Sequence, residues 1–268
     1  MSKTIGIISI KGGVGKTTIS ASLASDLANN FDKKVLLIDT NFSAPNLGLH
    51  MDIVEPAYTI HEVLAKKTRI RDAIHSRFNV DVIPGSYIAD YDFNPLKLKK
   101  EIREIKEDYD FIIIDSSPSL NIEILSTIFA SDNLFIVTTP DYSTLSCSIK
   151  AAKFAQQCGK TISGIVINKI HDPDYEFTLK DIEEALEIPV VAKIHYDKNA
   201  YRSAFVRIPA PLFNKKSSLS REINNLSRAL TGVKEKRSFM QWFFPKIKKE
   251  AVNRQLLKEN FYNSLFSQ

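Results

Sequence analysis

Seven short apolar runs, each too brief for a helix, constrain the fold of this chain more than any other feature. They are TIGIISI, VLLID, VDVIPG, DFIIID, NLFIVTTP, ISGIVIN and VVAKIH, and runs of this length without polar alternation predict strands covered on both faces. Longer segments of helical period lie between them. Ile19, Leu23 and Leu27 form one apolar stripe, and Leu98, Ile102 and Ile105 another; Leu179, Ile182 and Leu186 form a third, after a Thr178 to Asp181 capping pattern. A last stripe through Leu219, Ile223, Leu226 and Leu230 ends at Gly232, a suitable C-terminal cap. Strands alternating with helices predict an α/β fold, a mostly parallel sheet flanked by helices on both faces. GVKEKRS then reads as a linker, dividing the chain into a body, residues 1–232, and a tail, residues 233–268.

Composition fits such a body. With 268 residues, 44% of them hydrophobic, the chain can bury a sizeable core. Two cysteines, Cys147 and Cys158, lack CxxC spacing and build neither a disulfide framework nor a four-cysteine metal site. No signal peptide and no membrane-spanning run is visible, so the expected location is the cytoplasm. The net charge of +5 is placed unevenly. From Val233 onward eight basic residues face three acidic ones, whereas positions 1–232 balance at 28 of each. A surface-wide affinity for nucleic acid or membrane is not indicated, and a local one in the tail is.

The stretch SIKGGVGKTTIS, Ser9 to Ser20, joins the first strand, expected to end at Ile10, to a helix beginning near Lys16. Its glycines let backbone amides surround phosphate oxygens, and the helix N-terminus adds partial positive charge at the same point. Gly12, Gly13, Val14, Gly15, Lys16, Thr17 and Thr18 are therefore the expected nucleotide-binding loop. Lys16 supplies formal charge, and the Thr17 hydroxyl is placed for Mg2+. Asp39 and Asp115 each close an apolar strand at the carboxyl edge of the sheet, where ligands of open α/β folds bind. Both are candidates for the metal end of the nucleotide, although a strand-terminal Asp also serves as a turn or cap residue. Lys11, ahead of the first glycine, reads by itself as a solvated charge or a phosphate contact within its own subunit.

KGGVGKTT, followed by VLLIDTNFSAPNLGL and DFIIIDSSPSL, resembles the MinD/ParA family of deviant Walker A ATPases, and the resemblance covers nearly all of residues 1–232. It implies a P-loop NTPase fold that binds ATP with Mg2+ and dimerises around it, with Lys11 reaching the phosphates of the other subunit. It also implies phosphate binding by Lys16, Mg2+ binding by Thr17, metal and switch positions for Asp39 and Asp115, and adenine recognition by Asn168. An Asn at the end of a strand can equally cap it. Many members carry an acid two residues after the Asp39 equivalent, and this chain has Asn41. An amide orients water but cannot take its proton, so slow hydrolysis is expected, not its loss. Neither cysteine matches the context of the family's iron-sulfur carriers, and no tyrosine-rich terminus suggests the related tyrosine kinases. A spatial organiser in cell division, partition or cargo positioning is what the resemblance leaves, with an activating protein and a cargo that the chain does not name; a non-hydrolysing nucleotide-gated adaptor, which binds ATP without releasing phosphate, is the alternative.

The tail favours a membrane as its surface. KRSFMQWFFPKIKK holds Trp242, the only tryptophan, with Phe239, Phe243, Phe244 and Met240 among basic residues, which suits a peripheral anchor on anionic lipid. Pro245 would interrupt a continuous helix. Leu257, Phe261 and Leu265 align beyond it, with Arg254 and Lys258 intruding, and packing of the aromatics onto the body is the alternative. Non-specific DNA is the competing partner, through Arg202, Arg207, Lys215, Lys216, Arg221 and Arg228.

Overall fold

A computed structural model describes residues 2–89, 91–171 and 174–233. The tail residues singled out above, from Phe239 to Leu265, lie outside them. Eight strands form one sheet: β1 (Lys3–Ile8), β2 (Val35–Thr40), β3 (His75–Arg77), β4 (Val80–Ile83), β5 (Phe111–Ser116), β6 (Asn133–Thr138), β7 (Ile162–Ile170) and β8 (Val190–His195). Their spatial order is β3-β4-β2-β5-β1-β6-β7-β8, parallel throughout except for β3 against β4. The expected mostly parallel α/β sheet is observed.

The helices are α1 (Lys16–Phe31), α2 (Leu47–His50), α3 (Ile60–Leu64), α4 (Leu98–Arg103), α5 (Ile122–Ala130), α6 (Tyr142–Gln157), α7 (Leu179–Leu186), α8 (Lys198–Phe205), α9 (Ala210–Phe213) and α10 (Ser218–Thr231). Alternate residues of each strand serve opposite layers, as a period of two requires. Ile5, Ile7, Leu37 and Ile113 pack with Leu23 and Leu27 of α1 and Ile223 and Leu226 of α10. Leu36, Ile38, Ile112 and Ile114 pack on the other face with Val63 and Leu64 of α3 and Ile102 of α4. Further along that face, Ile8, Ile136 and Ile165 meet Ile124 of α5, Ala151 of α6 and Ile182 of α7. Each fully buried side chain of this size contributes about 1.5–3 kcal/mol relative to exposure.

Several expectations needed adjustment. β1 stops at Ile8, because the Ser9 hydroxyl bonds within a turn to both the N–H and the carbonyl of Lys11, at 3.3 Å each. The Leu98 stripe is helical only to Arg103; Ile105 is buried where the chain leaves the helix. β8 is buried at Val190, Val191, Ala192 and Ile194, but Lys193 and His195 are exposed, so the cover expected over both faces is incomplete at this edge strand. β3, a polar edge strand, carries no apolar run that could have announced it. The Thr178–Asp181 capping box and the left-handed Gly232 cap, at φ 71°, are present as expected.

Candidate functional site

The turn between β1 and α1 lies at the carboxyl edge of the sheet, with β5 on one side of β1 and β6 on the other. Chains in this topology leave a crevice there. Gly13 and Gly15 adopt φ 77° and 98°, a left-handed conformation that L side chains rarely adopt. At Gly15 a Cβ would also stand 2.4 Å from Asn168 Nδ2. No side chain caps the start of α1 and no acid lies in its first turn, so its free amides face a prospective anion without competition. A cavity of about 330 Å3 opens at this point.

Of the expected loop residues, Gly12, Gly13, Gly15, Lys16, Thr17 and Thr18 line this cavity. Val14 is buried beneath it, and its carbonyl accepts a hydrogen bond from Asn168 Nδ2 at 2.8 Å. Asn168 lines the cavity while bracing the loop from β7. Lys11 is exposed and is not part of the cavity wall. Lys16 is 7% exposed. Burial lowers its ammonium below the usual lysine range, and the Asp115 charge opposes that shift.

The two acids stand side by side, and neither lines the cavity. Asp39 and Asp115 are register partners on β2 and β5, so their side chains leave neighbouring strands on one face. Asp39 Oδ1 accepts the Asn41 N–H at 3.0 Å, and Oδ2 accepts those of Asn46 at 3.2 Å and Leu47 at 3.0 Å. Asp39 thus anchors the loop after β2 and does not itself line the cavity. Burial, reinforced by the Asp115 charge, pushes its carboxyl up to about 8 against those three amides. Asp115 is also raised by burial, opposed by Thr17, Lys16 and Ser20. Its Oδ1 accepts the Ser20 hydroxyl at 2.9 Å, whereas Oδ2 is buried with no hydrogen-bond partner among the described residues. An orphaned, desolvated carboxylate oxygen near a threonine hydroxyl is a donor set that a hard divalent cation fits.

Asn41 lines the cavity, but its amide Nδ2 donates to the Ala44 carbonyl at 2.5 Å. In this arrangement the side chain closes its own turn. The Thr17 hydroxyl donates to Asn46 Oδ1 at 3.1 Å, tying the phosphate loop to the loop after β2.

Other functional residues were not legible beforehand. Lys169, at φ 57°, turns its ammonium onto the Gly13 carbonyl at 2.8 Å. Tyr196, Asp197, Tyr201 and Leu219 complete the cavity at its other end, and Tyr196 stacks on His171 with ring centroids 4.4 Å apart. HYDKNAY, which supplies most of that wall, has neither a glycine signature nor a charge cluster. Its position beside the phosphate loop comes from the pairing of β7 with β8.

Known proteins resemble this chain in sequence and fold. A family model described as an AAA domain matches residues 2–163. An uncharacterized ATP-binding protein of Methanocaldococcus jannaschii is 32% identical over 232 residues, covering 85% of this chain and 88% of that protein. The septum site-determining protein MinD of Thermotoga maritima is 29% identical over 246 residues, with 87% and 89% covered. Among solved structures, MinD of Pyrococcus horikoshii complexed with Mg-ADP superposes with a TM-score of 0.81 at 28% identity, over 88% of this chain and all of that one. That structure thus holds a nucleotide together with Mg2+. By its P-loop fold, its phosphate loop and these likenesses, the chain belongs to the MinD/ParA family of ATPases.

Proposed function

We propose that this protein is an ATPase of the spatial-organiser type that dimerises around ATP and cycles on a membrane surface. The observation that carries the nucleotide part is the uncapped N-terminus of α1, facing a cavity together with Gly13, Gly15 and the buried Lys16. Phosphates entering there meet amide dipoles and one ammonium of fixed position. Thr17 and Asp115, with Asp39 behind them, would hold Mg2+, whose charge neutralises the phosphate oxygens when bound. The Tyr196 and Tyr201 end supplies an apolar wall for a base, with Asn168 offering its amide. Lys11, exposed and outside its own cavity, is free to act across a subunit boundary. Relatives named as septum site-determining protein, MinD of Thermotoga maritima, and as a virulence plasmid ParA family protein, pGP5-D of Chlamydia psittaci, support the organiser role.

In this reading residues 1–232 are the ATPase domain and residues 233–268 a separate membrane-binding tail, giving a cytoplasmic protein peripherally attached to the membrane. Among the described residues no helix is long and apolar enough to cross a membrane. Each Lys or Arg near an anionic surface contributes about 1 kcal/mol, so a single tail binds reversibly and two tails on one dimer bind much more tightly. A second reading has one observation in its favour. Arg202, Lys215, Lys216 and Arg221 are exposed around α8–α10, as non-specific DNA binding would require. Sedimentation with anionic liposomes beside a DNA shift assay, each with and without ATP and Mg2+, separates the two. ATP-dependent liposome binding supports the first reading; salt-sensitive DNA binding with none to liposomes replaces it with the second.

A further inference from the structure

Glu123 is a buried carboxylate for which the nucleotide site described so far has no use. It lies in the first turn of α5 at 6% exposure. Its Oε1 accepts the hydroxyl proton of Ser43, and Oε2 is buried without a hydrogen-bond partner among the described residues. Capping of α5 does not explain it. The Asn121 side chain already accepts the N–H groups of Glu123 and Ile124, at 3.0 and 3.4 Å. What the carboxylate holds is the turn after β2.

Ser43 stands two residues beyond Asn41, which lines the nucleotide cavity. On one side of Ser43, His61 Nε2 lies 3.1 Å from the Phe42 carbonyl and donates to it, since its Nδ1 accepts the Ser86 N–H at 3.0 Å. On the other side the Ala44 carbonyl takes the Asn41 amide. The direction of the Asn41 side chain therefore depends on the shape of a four-residue turn, and that shape is tied to α5 through Ser43 and Glu123. α5 in turn follows β5, which ends beside Asp115. The bond joins the two segments that flank the cavity after β2 and after β5, 80 residues apart in the chain.

We propose that Glu123 is a positioning residue for ATP hydrolysis, acting through Ser43 to hold the Asn41 turn against the nucleotide cavity. The inference rests on the ATPase reading above. It separates binding from turnover, because the glycines and Lys16 belong to α1 and its approach, and the bond of Thr17 to the loop after β2 is made at Asn46, beyond the Asn41–Ala44 turn that Ser43 holds. A mispositioned Asn41 should slow the chemical step and leave ATP affinity alone.

The test is single-turnover phosphate release, with ATP affinity and thermal unfolding measured in parallel, for Ser43→Ala, Glu123→Ala, the double variant and Glu123→Gln. Ser43→Ala and Glu123→Ala should each lower the rate about tenfold with ATP affinity unchanged. The double variant should be no slower than either, since both remove one bond. Glu123→Gln keeps an oxygen that accepts the Ser43 hydroxyl and should restore most of the rate. If Glu123→Ala does not fold, Ser43→Ala and Glu123→Gln carry the test together. Wild-type turnover in Ser43→Ala, losses that multiply in the double variant, a Glu123→Gln as slow as Ser43→Ala, or a parallel loss of ATP affinity would each overturn the proposal. If the unmodified protein releases no phosphate, the ATPase reading itself falls and takes this one with it.

Discussion

Replacing Gly15 by alanine should damage the phosphate loop by an amount that depends on Asn168. At φ 98° a Cβ costs about 1–2 kcal/mol of backbone strain. The same Cβ would stand 2.4 Å from Asn168 Nδ2, which donates to the Val14 carbonyl at 2.8 Å. That amide ends a short side chain and can yield, but yielding gives up its hydrogen bond, worth about 1 kcal/mol net. Gly15→Ala should therefore cost about 2–3 kcal/mol and Asn168→Ala about 1 kcal/mol. In the double variant no amide is left to displace, so the total should stay at about 2–3 kcal/mol instead of the additive 3–4. Urea unfolding of the four proteins measures this coupling of about 1 kcal/mol directly. Additive losses would show that Asn168 does not brace the loop at Gly15. Nucleotide affinity should fall in Gly15→Ala, because the strained residue caps the helix whose amides face the phosphates.

Other consequences are open to direct measurement. Lys16→Ala should lose ATP binding, whereas Lys11→Ala should bind ATP and fail to dimerise with ATP and Mg2+ in analytical sedimentation; an unaltered dimer in Lys11→Ala would remove its role across the interface. Asn41→Asp loses the donor to the Ala44 carbonyl and gains a proton acceptor, so basal phosphate release should rise about tenfold with little change in ATP affinity; equal single-turnover rates would take Asn41 out of the chemistry. Burial lowers the His61 pKa, so the unfolded chain takes up a proton below about pH 6.5 while the folded chain does not. Stability from this group is full above that pH and is lost as pH falls, by at most about 1.4 kcal/mol per unit. His61→Gln should reduce the difference in urea midpoint between pH 7.5 and pH 5, and an unchanged difference would refute the assignment. Trp242→Glu with Phe243→Glu should abolish sedimentation with anionic liposomes and spare ATP binding; retention of liposome binding would exclude the tail as the anchor.

Much of this protein was legible in its sequence because it is written in local pattern. Short apolar runs made strands, stripes of helical period made helices, and glycines ahead of Lys16 marked a turn that only glycine adopts without strain. The capping box at Thr178 and Asp181 and the cap at Gly232 were readable for the same reason, since each is closed by residues within four of one another. Where pattern was weak, reading failed. β3 has three polar residues and no apolar run, and α8 buries only Ser203, so neither carries an apolar pattern that could announce it.

Tertiary structure decided which of the marked residues meet. The order of strands brings Asp39 beside Asp115 and buries both; burial raises each carboxyl, and at Asp39 the Asp115 charge adds to it. Asn168 reaches Val14 across 154 positions, Thr17 reaches Asn46 across 29, and Ser43 reaches Glu123 across 80. Nothing in the local sequence of either partner encodes such a contact. It follows from strand order and register, which are fixed only when helices on both faces close over the sheet and each strand end is set at one depth along the carboxyl edge.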